Sequence, residues 1–324
     1  MIHVRATRER GAAAVGRHAH VREAVAILEE LHAEEPADPW AMSLLAAVLL
    51  RVWTQTGATD HALVARAEEL ALRALDADRS IPDTYHALGV IRLTSGDLRA
   101  GIHAAQQALA RAPRHAEAHY VLAQLLVDSG HVQEGLQRFD VALRLEPRMA
   151  LAHMHRVRTL ALAGERERAE EALARADALV GPLATVVQRT RLALWWEDRA
   201  VAARCVEILE TSTSGAAWER TLPLMRAYAR GEPPVTDETM FDAMTSMRVG
   251  AFHKALMHEV AAECLAASGM FEAAFRQISA AAQLPTFINL LWLDRCPTLA
   301  PMRDDPRFAE ARALVAARVA ALWD

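Results

Sequence analysis

The sequence predicts an all-α protein, an α-α solenoid of about seven helix pairs closed by a C-terminal capping helix. Three observations carry that expectation. Residues 82–181 repeat at an interval of 34: Gly96, Gly130 and Gly164 fall one step apart, as do Ala108, Ala142 and Ala176. Pro113 and Pro147 keep the same step, with Gly181 in the third place, and Gly101 and Gly135 are followed by Ala169. Within each interval, apolar residues recur at helical spacing in two runs. Composition agrees, since 52% of residues are hydrophobic but only 5% aromatic, and Ala and Leu dominate, which is helix-rich usage. A length of 324 residues alone suggests about two globular domains, but a fixed period identifies one unit copied in tandem, and solenoids grow by adding units.

The chemistry of the unit follows from its residues. Its two runs are joined by short polar turns, Thr94-Ser95-Gly96-Asp97, Asp128-Ser129-Gly130-His131 and Ala163-Gly164-Glu165. Gly at the end of a helical pattern supplies a left-handed cap, and Asp97 suits the N-cap of the next helix. Gly101, Ala105 and Ala108 share one face of the second helix, which lets its partner approach closely. Pro113 and Pro147 break the chain between copies. Tyr85, Leu88, Gly89, Gly96, Ala108 and Pro113, then Leu122, Ala123, Gly130, Phe139, Ala142 and Pro147, resemble the signature of the tetratricopeptide repeat. The third copy departs, with Arg156 where Leu is usual and Gly181 in place of Pro; the large aromatic position reads Tyr85, His119, His153. The resemblance implies a right-handed superhelix.

Taken in order, residues 1–16 carry no pattern and are expected to be loose, and 17–181 hold a leading helix and the regular units. Val21, Ala24, Val25, Leu28 and Leu31 place a helix at 18–34. Asp38-Pro39 opens a helix running from Trp40 to Trp53, and another spans 61–77 as a divergent pair. Residues 182–250 lose the register but retain helix pairs at 184–196 with 198–212 and at 216–230 with 237–248, broken by Gly231-Glu232-Pro233-Pro234. Residues 251–324 regain it, since Ala262, Leu265, Gly269, Ala274 and Ala281 fit the repeat. The whole is expected to be one continuous solenoid. The segment from Trp292 through Pro297 to Asp305-Pro306-Arg307-Phe308 resembles the piece that closes tetratricopeptide regions in bacterial multidomain signalling proteins of the Ser/Thr kinase, cyclase or transcription-activator type. A terminal unit covers the last apolar face, and Asp305-Pro306 starts the final helix.

A net charge of −5 without a basic stripe gives no case for nucleic acid. Lys254 is the only lysine, as expected of a GC-rich bacterial genome. Cys205, Cys264 and Cys296 form neither a metal motif nor a disulfide framework and fit a reducing cytoplasm. No apolar run is long enough for a membrane span, and no secretory signal is read at the N-terminus.

Catalytic signals are weak. His115 and His119 lie four apart, with His153 one repeat on, but no Cys or carboxylate at ligand spacing completes a metal set, so packing is the expectation. His258-Glu259 begins a zincin-like string that fails at Ala262. Met240, Met244 and Met247 share a helical face, and of Trp195 and Trp196 at least one is expected in the core. No catalytic residue, metal or cofactor is assigned.

The resemblance implies instead a concave groove lined by the first helix of each unit. Its outward residues would be Asp83, His86, Val90 and Leu93; Glu117, Tyr120, Gln124 and Val127; and Leu151, Met154, Arg158 and Leu162. This mixed surface suits an extended peptide or a helix of a protein partner. His86, Val90, Tyr120 and Gln124 replace the basic, Asn-rich clamp of the chaperone-binding members, which argues against a chaperone-tail receptor. The expected function is a non-catalytic scaffold or adaptor in a bacterial signalling or multi-subunit effector complex. The alternatives are an inhibitory subunit of a partner enzyme and, from another class, a cryptic hydrolase or metal site in 184–250. Self-association through the solenoid ends stays open.

Overall fold

A computed structural model describes residues 21–55, 60–211, 221–233, 235–241 and 250–323. The expected loose N-terminus and most of the helix expected at 237–248 lie outside these residues, and the face of Met240, Met244 and Met247 lies outside the described side chains. All regular structure among the described residues is helical. The chain runs α1 Val21–Glu34, α2 Pro39–Gln55, α3 His61–Ala77, α4 Pro82–Ser95, α5 Leu98–Arg111, α6 Ala116–Asp128, α7 Val132–Leu145, α8 Ala150–Leu162 and α9 Arg166–Val180. It continues through α10 Pro182–Trp195, α11 Arg199–Glu210, α12 Thr221–Ala229, α13 Ala251–Ala267, α14 Phe271–Gln283, α15 Leu290–Arg295 and α16 Pro306–Trp323. Tighter 3-10 turns occupy Glu238–Phe241 and Pro297–Met302. The architecture is the expected all-α one of helix pairs in an α-α solenoid.

The helix ends follow the local chemistry. Asp60, Asp97, Asp198 and Asn289 each accept a backbone N–H of the first turn they precede. Gly96 closes α4 at φ 92°, a left-handed conformation that costs a residue with a Cβ, while the Asp97 N–H returns to the Arg92 carbonyl at 2.9 Å. The same return bond recurs from His131 to Leu126, from Glu165 to Leu160 and from Met270 to Leu265. Gly181 and Pro182 make the third-copy break together: Gly181 turns at φ 87° and Pro182 opens α10, one residue later than the usual proline.

The chain forms two compact units. The first runs to Leu122 and takes in Arg144–Glu146 and a short stretch ending at His253. In it α2 is packed against α1, α3 and α4. Its core includes Leu28 of α1, Leu45 and Val48 of α2, Leu70 and Ala74 of α3, and Ala87 and Ile91 of α4. Ser43 on α2 and Thr84 on α4 share a 2.6 Å hydrogen bond inside this core. The second unit holds the remainder. There α8 to α12 pack each on the next, α14 packs on α16, and α15 reaches both α8 and α16. Phe139, Leu160, Leu192, Leu265 and Trp292 are fully buried. Arg156, standing at a position where leucine is usual, sends its Nε to Asp140 on α7 at 2.8 Å. Trp195 is buried, and the Arg166 guanidinium lies 4.6 Å from the ring centroid of half-buried Trp196.

Candidate functional site

In the first unit three of the sequence-predicted residues, Asp83, His86 and Glu117, gather around a histidine. Pro82 opens α4, so Asp83, His86, Val90 and Leu93 follow on one side of the helix at spacings of three and four. Glu117 and Tyr120 are the repeat equivalents of Asp83 and His86 on α6. All six are partly exposed. His115 sits between the two carboxylates, its Nε2 3.5 Å from Asp83 and its Nδ1 3.6 Å from Glu117. The His86 and His115 rings are 5.3 Å apart. Arg51 of α2, which the sequence reading did not select, donates to Glu117 at 2.9 Å.

These neighbours shift the local proton affinities. Burial, then the adjacent His115, pushes His86 down to about 4. Burial works against a charge on His115 too, but Asp83 and Glu117 outweigh it and raise its pKa. Burial opposes ionisation of Glu117, yet His86, His115 and Arg51 bring it down to about 2. The group can hold charge and exchange a proton.

In the second unit the predicted residues divide. Leu151 is 38% exposed and Met154 partly so, whereas Gln124, Val127, Arg158 and Leu162 are covered by the chain itself. Val127 lies over Gly135, which α7 needs for close approach. Arg158 belongs to a buried ionic network on α6, α8, α10, α13 and α15. It donates to Asp128 and stands 3.5 Å from Glu259. Arg191 donates to Glu259 at 3.0 Å and to Glu263 at 2.5 Å. Asn289 donates to Glu259, and the Trp292 indole to Glu263, each at 2.6 Å. Two arginines thus face three carboxyl groups. Burial pushes Asp128 up to about 6 against the pull of Arg158. Burial opposes the Arg191 charge, but Glu263 and Glu259 raise its pKa. Every carboxyl here is engaged by the protein, an arrangement that fixes helix positions.

The remaining candidates resolve into packing. His119 and His153 each direct Nε2 to a carbonyl six residues upstream, of Pro113 at 2.9 Å and Pro147 at 2.8 Å. Tyr85 does the same to Arg79 at 3.0 Å. His258 pairs with Gln277 at 2.7 Å, and its neighbour Glu259 is held in the ionic network. The three cysteines are buried free thiols; burial raises all three, Cys264 to about 12. Among the described residues no group of three or more His, Cys, Asp or Glu is placed to hold a metal, and no helix is long and apolar enough to cross a membrane.

The buried network had a signal in the sequence that the repeat pattern masks. Glu259 and Glu263 lie one turn apart in the largely apolar second half of a helix, and Arg158 and Arg191 interrupt apolar runs. Charges at core positions call for partners.

Residues 92–148 match the tetratricopeptide repeat family. No curated protein matches the chain. Among solved structures, a thermophilic tetratricopeptide protein of Thermus thermophilus is 24% identical over 52% of this chain and 93% of its own, with a TM-score of 0.40. PilF of Pseudomonas aeruginosa is 18% identical over 66% and 93%, with a TM-score of 0.44. MamA of Desulfovibrio magneticus is 18% identical over 54% and 94%, with a TM-score of 0.34. The family match falls on the regular middle part of the chain, where the 34-residue period and the glycine-capped helix pairs also lie, so that part carries tetratricopeptide repeats.

Proposed function

We propose that the chain is a non-catalytic adaptor that recruits or positions a protein partner in a bacterial signalling or multi-subunit effector complex. The partner's peptide or helix lies along the first helices of the repeats. One observation carries this reading: Asp83 and His86 of α4 and Glu117 of α6 stand partly exposed around His115, and partly exposed Tyr120 follows Glu117 by one turn of α6, a polar and aromatic face that the core does not consume. Val90 and Leu93 add apolar surface beside it. Such a mixture fixes the register of a bound segment by its polar groups and takes affinity from the apolar ones. On α8 the exposed Leu151 and partly exposed Met154 offer a second, apolar contact. Three buried reduced thiols suit a cytoplasmic setting.

The test is affinity capture from the native host with wild type, Tyr120→Ala, Met154→Glu and the double variant, each first shown to keep its helical content and Tm. The expected result is one enriched protein that Tyr120→Ala loses in whole or part. Retention of that protein by the double variant would move the contact to the ends of the solenoid, and a captured second copy of the chain would make the contact self-association.

A further inference from the structure

His115 occupies an unusual place for a titratable ring. It precedes α6 as its N-cap: its carbonyl accepts the His119 N–H at 3.2 Å, and its Nδ1 accepts the Ala118 N–H, also at 3.2 Å. Side chains of Ser, Thr, Asp and Asn usually fill that role. None of those four caps by means of a group that takes up a proton near neutrality, whereas imidazole titrates there. Nδ1 accepts only while it carries no proton, so the capping ring is the neutral tautomer with its hydrogen on Nε2, directed at Asp83 3.5 Å away. The carboxylate of Glu117 stands 3.6 Å from the same Nδ1. One nitrogen therefore has two competing neighbours: a backbone donor that needs its lone pair, and a carboxylate that would accept its proton.

We infer that His115 is a two-position proton switch that exchanges the cap of α6 for a bridge between successive repeats. Neutral, it caps the helix. When Nδ1 takes a proton from water, two donors face each other and the Ala118 N–H is released. The imidazolium then spans Asp83 on α4 and Glu117 on α6. The groups that face it agree with this. Arg51 from α2 is paired with Glu117. His86 from α4, with its ring 5.3 Å away, is a second titratable imidazole, and two like charges at that separation disfavour each other, so the pair carries one positive charge at most near neutrality. Asp83 and Glu117 supply the negative charge that favours His115 over His86 as its holder. All five groups lie in the first unit. The inference does not depend on a bound partner, although Asp83, His86 and Glu117 belong to the proposed contact face.

The experiment is a pH series from 5 to 9 on the free full-length chain, with ring-nitrogen NMR of 15N-histidine-labelled protein and amide hydrogen exchange at Ala118. Subtraction of the His115→Asn spectrum assigns the ring. Above its midpoint, His115 is expected with Nδ1 unprotonated and Nε2 protonated; below it, with both protonated, at a midpoint above that of an ordinary histidine. Across that midpoint, Ala118 exchange corrected for its intrinsic rate rises about fivefold, the worth of one N-cap. His115→Asn retains a capping oxygen without a titrating group and keeps Ala118 protection constant. Glu117→Gln lowers the midpoint. An Ala118 exchange rate indifferent to the ring's titration, or a neutral ring protonated at Nδ1, overturns the inference on wild-type protein alone.

Discussion

Among single residues, Asp128 bears the clearest consequence. Its folded pKa of about 6 exceeds the value near 4 of a free aspartate, so between those pH values the folded chain binds more protons than the unfolded one. The sign is then fixed: the contribution of Asp128 to stability falls as pH rises from about 4 to about 6 and stays low at 7. Asp128→Asn keeps an oxygen for Arg158 and removes the surplus charge. At pH 7 its urea midpoint is expected to equal or exceed that of wild type, and the slope between pH 4 and 6 is expected to flatten. A drop in midpoint at pH 7 would show that the network needs the aspartate ionised. Removing a partner that the network does need acts oppositely. Glu263→Ala leaves the Trp292 indole without its acceptor and Arg191 with Glu259 alone in the core, and is expected to cost about 3–5 kcal/mol by urea titration. The glycines offer a finer comparison. A Cβ on Gly135 would meet the Ala123 carbonyl oxygen at 2.9 Å and the Val127 nitrogen at 3.1 Å, backbone atoms that cannot step aside. On its repeat equivalent Gly101 the nearest atoms belong to the Leu93 side chain. Gly135→Ala should therefore cost about 1–3 kcal/mol, while at Gly101 a rotamer change and the roughly 1 kcal/mol gain in helix propensity nearly cancel. Equal losses at both positions would mean that the two packed helix pairs are equally rigid.

For the helices, what the sequence made legible was the part dictated by period and caps. The ends of α3 at 61 and 77 and of α16 at Pro306 and Trp323 fall where Asp60, Asp305 and the apolar spacing put them, because short-range chemistry decides those ends. The pairs α4–α5 and α8–α9 likewise follow from Gly96 and Gly164. The outward face of α6 and α8 was harder to read. Spacing places Gln124, Val127, Arg158 and Leu162 on the same side as Glu117 and Leu151, but spacing does not say which neighbouring element will cover that side. Arg158 is drawn inward by Asp128 and Glu259, the latter 101 residues away, a long-range pairing to which no local pattern points. His115 illustrates the same limit from the other direction. It stood out as half of an i, i+4 histidine pair, yet its role comes from Asp83 in the preceding repeat and from the helix end it precedes. At this scale Asp97→Ala, which removes the acceptor for the Ala100 N–H at the start of α5, is expected to lower stability by about 1 kcal/mol, with Asp97→Asn restoring most of it.

For the whole molecule, tandem construction makes stability a sum of neighbour terms rather than a single all-or-none quantity. Two compact units and a solenoid architecture predict that unfolding reports depend on where the probe sits. Trp53 is buried in the first unit and Trp292 in the second. In variants retaining one or the other fluorophore in otherwise Trp-to-Phe backgrounds, Glu263→Ala is expected to lower the Trp292 transition and leave the Trp53 transition in place. Coincident shifts of both would mean that the chain unfolds as one cooperative block.

The bond made at Tyr85, His119 and His153 carries a different lesson, one about descent. All three copies require a ring with a hydrogen at its tip, held at the distance that meets a carbonyl six residues earlier, and phenol and imidazole both comply. Mutation can therefore drift between tyrosine and histidine there without losing that carbonyl bond, and copies can diverge in letters while keeping it. Tyr85→His should keep the carbonyl bond that Tyr85→Phe loses, while both lose the Arg111 donation that the phenol oxygen accepts at 2.7 Å. A duplicated segment excised from one place in this chain and spliced into another would bring its own fastening with it.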